Sequence, residues 1–145
     1  MTVLRRSIAV ALLLPLLVVA GCKYHSLIIM EHDYKAAVSA FQQAEMNEFK
    51  AGNIDVQTHQ QLEGIVLKLA QGGQQVAVLL RGNASKQTII QQVSAIDSSL
   101  QDALSNGLLG VKNPTAQQNF RIMLISIQDI LNNFSTALGA PAPVQ

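Results

Sequence analysis

The chain has 145 residues, of which 49% are hydrophobic, 4% aromatic and 13% charged, and its formal net charge is +1. This length fits one domain, and the core must be aliphatic because Trp is absent. The balanced charge, without a run of Lys or Arg, lacks the footprint of a nucleic-acid-binding protein, and one cysteine cannot form an intramolecular disulfide.

Residues 1–21 have the pattern of a secretory signal peptide. Arg5 and Arg6 give the segment a basic start, and residues 8–20 form an apolar run that only Pro15 interrupts. This run is too short to cross a hydrocarbon layer of about 30 Å, which needs roughly 20 residues. A basic start before such a run is typical of an exported protein with a cleaved leader.

The leader ends in Val19-Ala20-Gly21-Cys22, which resembles the lipobox of bacterial lipoproteins. The resemblance covers residues 1–22 and implies cleavage before Cys22, lipid attachment to its thiol and acylation of the new amine. It therefore implies a membrane partner, reached through lipidated Cys22. The alternative is an ordinary signal peptide with an incidental cysteine, which would leave an exported protein with a free thiol.

The next residue, Lys23, is informative about the membrane in which the lipoprotein would be retained. In lipoproteins of bacteria with two membranes, an aspartate at this place resembles an inner-membrane retention signal. Its absence favours the periplasmic face of the outer membrane in such a host, and the outer face of the membrane where there is only one.

We expect residues 22–30 to form a short membrane tether, 31–138 a helical bundle domain and 139–145 an extended tail. The tether contains an apolar run, Leu27-Ile28-Ile29-Met30. Docking of this run on the bundle is favoured over insertion into lipid headgroups.

Apolar residues at helical spacing predict the first two helices. The first runs from about Glu31 to Lys50 and ends at the glycine of Ala51-Gly52-Asn53. The second runs from about Val56 to Leu80, with Asp55 as its N-cap. Gly72-Gly73 interrupts the second stripe, and it indicates either a kink where another helix crosses or a break into two shorter helices.

The same periodicity predicts a third helix over about 85–105 and a fourth over about 114–138, capped by Asn113 with Pro114 at its first position. The fourth helix carries an unusually wide apolar arc, which faces either the core or a partner. Four helices joined by short turns predict an all-α, up-down antiparallel bundle.

The connector before the fourth helix is a candidate partner-binding loop. Leu108, Leu109 and Val111 make it apolar. The loop either folds these side chains over one end of the bundle or offers them to another protein.

The sequence contains no recognisable catalytic, metal or cofactor site. His59 and Glu63 are four residues apart and share a helix face, but two ligands do not make a zinc site, so we expect an exposed hydrogen-bonded pair. Glu31-His32-Asp33 is interpreted as a charged helix start. We therefore expect a noncatalytic envelope lipoprotein that binds a protein partner, with an apolar small molecule or lipid between the helices as the alternative ligand.

Overall fold

The computed structural model describes residues 24–108 and 110–140, which form helices and turns without a strand. The helices are α1 (His25–Lys50), α2 (Val56–Arg81), α3 (Lys86–Asp102) and α4 (Pro114–Leu138), and a π-helical turn, Ala103–Gly107, extends α3. Each helix packs on its neighbours in the chain, and α1 also packs on α4. This closed ring confirms the predicted all-α, four-helix bundle.

Local hydrogen bonds fix the helix boundaries that the sequence predicts. The carboxylate of Asp55 accepts from the backbone N–H of Thr58 at 2.8 Å, and the amide oxygen of Asn113 accepts from two N–H groups of the first turn of α4. Pro114 stands at the start of α4, where a missing N–H costs nothing. At the other end of α4, Gly139 adopts the left-handed conformation with φ of +86°.

Helix α1 begins at His25, six residues before the predicted start at Glu31. Leu27 lies in the buried stripe of this helix, and the hydroxyl of Tyr24 donates to the backbone carbonyl of Ala84 at 3.4 Å. Within the described residues, the segment assigned to the tether is thus helical from 25 onward. The proposed signal peptide, Cys22 and the end of the tail lie outside the described residues.

Helix α2 continues through Gly72-Gly73 without a break. A Cβ atom added at Gly72 would lie 2.5 Å from Cγ1 of Ile96 in α3, and one added at Gly73 would lie 2.5 Å from Cε1 of Tyr34 in α1. The two glycines therefore allow both neighbouring helices to approach the backbone of α2. The alternative of two shorter helices is wrong.

The core runs the length of the bundle and is mainly aliphatic. Its few rings include Phe41 and Phe120, which pack edge to face with centroids 5.5 Å apart and join α1 to α4. No helix among the described residues has the length and apolar character needed to cross a bilayer.

Candidate functional site

The most concentrated polar chemistry lies between α1 and α2, around His59. The ring of His59 stacks on the ring of Phe49, with centroids 3.9 Å apart and planes inclined by 7°. Its Nδ1 contacts Oε1 of Glu45, and its Nε2 lies 3.7 Å from Oε1 of Glu63. One face of the imidazole is thus covered and both nitrogens point toward carboxylates.

Glu45 is the unexpected member of this cluster, which we name the His59 cluster (Glu45, Phe49, His59, Glu63). It belongs to the buried stripe of α1, four residues after Phe41, and its side chain is fully buried. Oε1 is held by His59, whereas Oε2 finds no hydrogen-bond partner among the described residues. Removing a carboxylate from water is costly unless it is paired, so His59 is the group that makes this burial tolerable.

The two carboxylates contact His59 differently. Nδ1 of His59 and Oε1 of Glu45 lie within hydrogen-bond distance. Oε1 of Glu63 is 3.7 Å from Nε2, which is beyond hydrogen-bond distance. Glu63 is half exposed, so its ion pair is screened by water and weaker than the pair with Glu45.

The His59 cluster lies between two helices, where the side chains of His59 and Glu45 are largely shielded from solvent. The His59 side chain is only 13% exposed, and the grooves described below are not lined by it or by Glu45. Within residues 24–108 and 110–140, no group of three or more His, Cys, Asp or Glu side chains could hold a metal ion.

Two expectations about ionisable residues are corrected by these contacts. His59 and Glu63 do share a face, but His59 is largely buried and its close partner is Glu45 on another helix. Glu31 is not part of a charged helix start, because it is buried inside α1, where it pairs with Lys35 one turn later.

For the candidate partner-binding loop, the structure favours the alternative in which its side chains fold over one end of the bundle. Leu108 and Val111 are buried in the core, and Leu109 lies outside the described residues. Thr58 donates to the carbonyl of Gly110 at 3.1 Å and ties the loop to the start of α2. The two described apolar side chains therefore close one end of the bundle and are not available to a partner.

A wide groove between α2 and α3 offers a more accessible surface. It has a volume of about 930 Å³, and no ionisable side chain lines it. We name it the glutamine groove, and its lining is Gln71, Gln74, Gln75, Val78, Leu79, Thr88, Gln91 and Gln92. Val78 is 61% exposed, so the groove presents apolar surface beside amide groups that both donate and accept hydrogen bonds.

One cavity in the core of the bundle is very small. It has a volume of about 10 Å³ and lies among core side chains near Tyr34 and Gly73, where Tyr34 donates to the carbonyl of Leu69 at 2.8 Å. Burial raises the pKa of this tyrosine, because the phenolate would lose its hydration. A volume of this size is too small for an apolar ligand, which would need the helices to separate.

The wide apolar arc of α4 divides between core and surface. Met123 and Ile130 pack against the core, whereas Ile122 and Ile125 are exposed. The bundle therefore buries only part of the apolar arc and leaves Ile122 and Ile125 at the surface.

Comparisons of the chain with protein-family models, with curated proteins and with solved structures found no match.

Proposed function

We propose that this chain is a membrane-anchored lipoprotein whose noncatalytic helical bundle binds another protein in the cell envelope. The anchor is lipidated Cys22, supported by the likeness of Val19-Ala20-Gly21-Cys22 to a lipobox. The proposed location is the periplasmic face of the outer membrane where the host has two membranes. The observation that carries the binding role is the glutamine groove between α2 and α3.

The chemistry of the glutamine groove defines the partner. Its amide groups can pair with a backbone or with uncharged polar side chains, and Val78 and Leu79 offer apolar contact. A charged contact face would be desolvated there without an opposite charge, which is unfavourable. The partner is therefore a protein that presents an uncharged, partly apolar segment.

Crosslinking in intact cells tests this role, with capture of the native protein compared with two variants. Val78→Glu places a charge in the glutamine groove, whereas Leu67→Glu places the same charge on α2 outside the residues that line it. Leu67 is a matched control because it is 58% exposed, against 61% for Val78. Both variants are first checked for native helical circular dichroism and for recovery in the membrane fraction.

The native protein and Leu67→Glu should capture the same envelope protein, through crosslinked peptides from α2 or α3, and Val78→Glu should lose it. Equal capture by Val78→Glu would overturn the groove assignment. Recovery of no partner by native protein in the membrane fraction would contradict the binding role itself.

A further inference from the structure

The two ends of the bundle differ in their charge. One end comprises residues 24–29, 81–86 and 138–140, and we name it the proximal end. The hydrogen bond from Tyr24 to Ala84 joins the start of α1 to the turn between α2 and α3, and Ala140 lines a groove with Ile90 near the start of α3. The three segments therefore lie at the same end of the bundle, as the alternating direction of four successively packed helices requires.

Two bases and no acid lie at the proximal end. Arg81 and Lys86 are both exposed, and the three segments contain no Asp or Glu. The opposite end, comprising residues 48–57 and 101–114, carries more acids than bases, namely Glu48, Asp55 and Asp102 against Lys50 and Lys112. The proximal end is therefore the part of the bundle that complements an anionic surface.

Apolar side chains are exposed at the same end. Ile28 and Ile29 lie near the start of α1 and are 44% and 52% exposed, while Leu27 beside them is buried. The Cα–Cβ bonds of a helix tilt toward its N-terminus, so both isoleucines lean toward the proximal end.

The length of chain before α1 connects these features to the membrane. Cys22 precedes Tyr24 by two residues, and an extended chain spans at most about 3.6 Å per residue, so the two Cα atoms lie within about 7 Å of each other. Tyr24 is buried in the core and cannot move away from the bundle independently. The headgroup layer on each side of a bilayer is of similar thickness, about 5–8 Å.

We propose that the proximal end lies on the lipid surface itself, with Ile28 and Ile29 among the headgroups and Arg81 and Lys86 against anionic lipid phosphates. This inference rests on the lipid anchor of the proposed function. It adds that the bundle is held directly against the membrane with its proximal end facing the lipid, because only Lys23 separates Cys22 from Tyr24.

Spin labels on the lipidated protein in vesicles test the orientation. The chain has one cysteine, whose thiol the lipid occupies, so Ile29→Cys and the control Leu67→Cys each create a unique labelling site. Collisions with oxygen, which concentrates in lipid, are compared with collisions with a water-soluble nickel chelate. The Ile29 label should favour oxygen, and the Leu67 label should favour nickel.

A double variant tests whether bases at the proximal end interact with anionic lipid. It carries Arg81→Gln and Lys86→Gln, and the charge-matched control carries Lys50→Gln and Lys112→Gln at the opposite end. Adding phosphatidylglycerol to phosphatidylcholine vesicles should raise the oxygen preference at position 29 in the control. The effect should be smaller in the Arg81/Lys86 variant, because surface bases are attracted to anionic lipid.

The intact mass of the purified protein shows whether Cys22 carries lipid, and so distinguishes failure of the anchor from failure of the proposed orientation. A protein without lipid on Cys22 would overturn both the anchor and this inference. A lipidated protein whose Ile29 label is as open to nickel as the Leu67 label would overturn the orientation alone. Broadening of the Ile29 spectrum that disappears on dilution with unlabelled protein would assign the surface to a second copy, which also contradicts lipid docking.

Discussion

The ring of Tyr34 packs directly on Gly73, so that a Cβ atom at this glycine would lie 2.5 Å from Cε1 of the tyrosine. The same tyrosine donates to the carbonyl of Leu69, one turn earlier on α2. The packing on Gly73 and the hydrogen bond to Leu69 together restrict movement of the ring away from α2. This contact fixes how closely α1 and α2 approach each other.

Gly73→Ala should destabilise the bundle, whereas Gly64→Ala should not. Alanine gains about 1 kcal/mol of helix propensity at either position, but overpacking costs about 1–3 kcal/mol where the ring cannot move. A Cβ atom at Gly64 would meet nothing within 4 Å, so this position on the same helix is the control. Urea unfolding measures both, and stabilisation by Gly73→Ala would contradict the close contact.

A double-mutant cycle on Glu45 and His59 should show strong coupling. His59→Phe keeps a ring against Phe49 but leaves a buried carboxylate unpaired, which should cost about 3–5 kcal/mol of unfolding free energy. Adding Glu45→Met should recover most of that loss, because an apolar pair of similar volume is tolerated. Denaturant unfolding of all four proteins gives the coupling, and simple addition of the two losses would show that the pair is not the source of stability.

Leu108→Ala should lower the free energy of unfolding by about 2–5 kcal/mol, as expected for a leucine buried in a core. Leu67→Ala, at an exposed position, should change it by less than about 0.5 kcal/mol. Thermal and urea unfolding give both values. An unchanged stability in Leu108→Ala, combined with loss of a captured partner, would restore the loop as a binding surface.

Asp55 gives a prediction about pH. The backbone N–H of Thr58 holds the pKa of this carboxyl below its ordinary value, with a smaller contribution from Lys112. A lowered pKa in the folded state means that stability is present above the unfolded value, about 3.9, and is lost as pH falls through the folded value. Asp55→Asn keeps an N-cap oxygen without the charge.

The native protein should therefore exceed Asp55→Asn in stability near neutral pH, and this difference should shrink below about pH 4. Urea unfolding at several pH values measures it. A difference that stays constant down to acid pH would show that the charge of Asp55 plays no part.

Much of the fold could be predicted because local signals and helix periodicity agree. Asp55, Asn113 and Pro114 are short-range features, and the structure uses them as the sequence indicates. The start of α1 was predicted too late, because Glu31 occupies a buried position of its stripe, where an apolar side chain is expected.

The His59 cluster and the glutamine groove could not be predicted in the same way. The spacing of His59 and Glu63 reveals neighbours on one helix, whereas Glu45 lies on the other side of a turn and becomes a partner only when α1 and α2 pack. The glutamines are visible in the sequence, but the rotation of two helices decides that Gln74 and Gln91 line one groove.

The mass of the N-terminal peptide, measured on the protein purified from membranes, tests lipid anchoring at Cys22 most directly. We expect this peptide to begin at Cys22 and, in a two-membrane host, to carry both a diacylglyceryl group and an amide-linked acyl chain. We also expect Cys22→Ser to be absent from the membrane fraction. A mature N-terminus at another residue, or an unmodified Cys22 thiol in the native protein, would contradict lipid anchoring at Cys22.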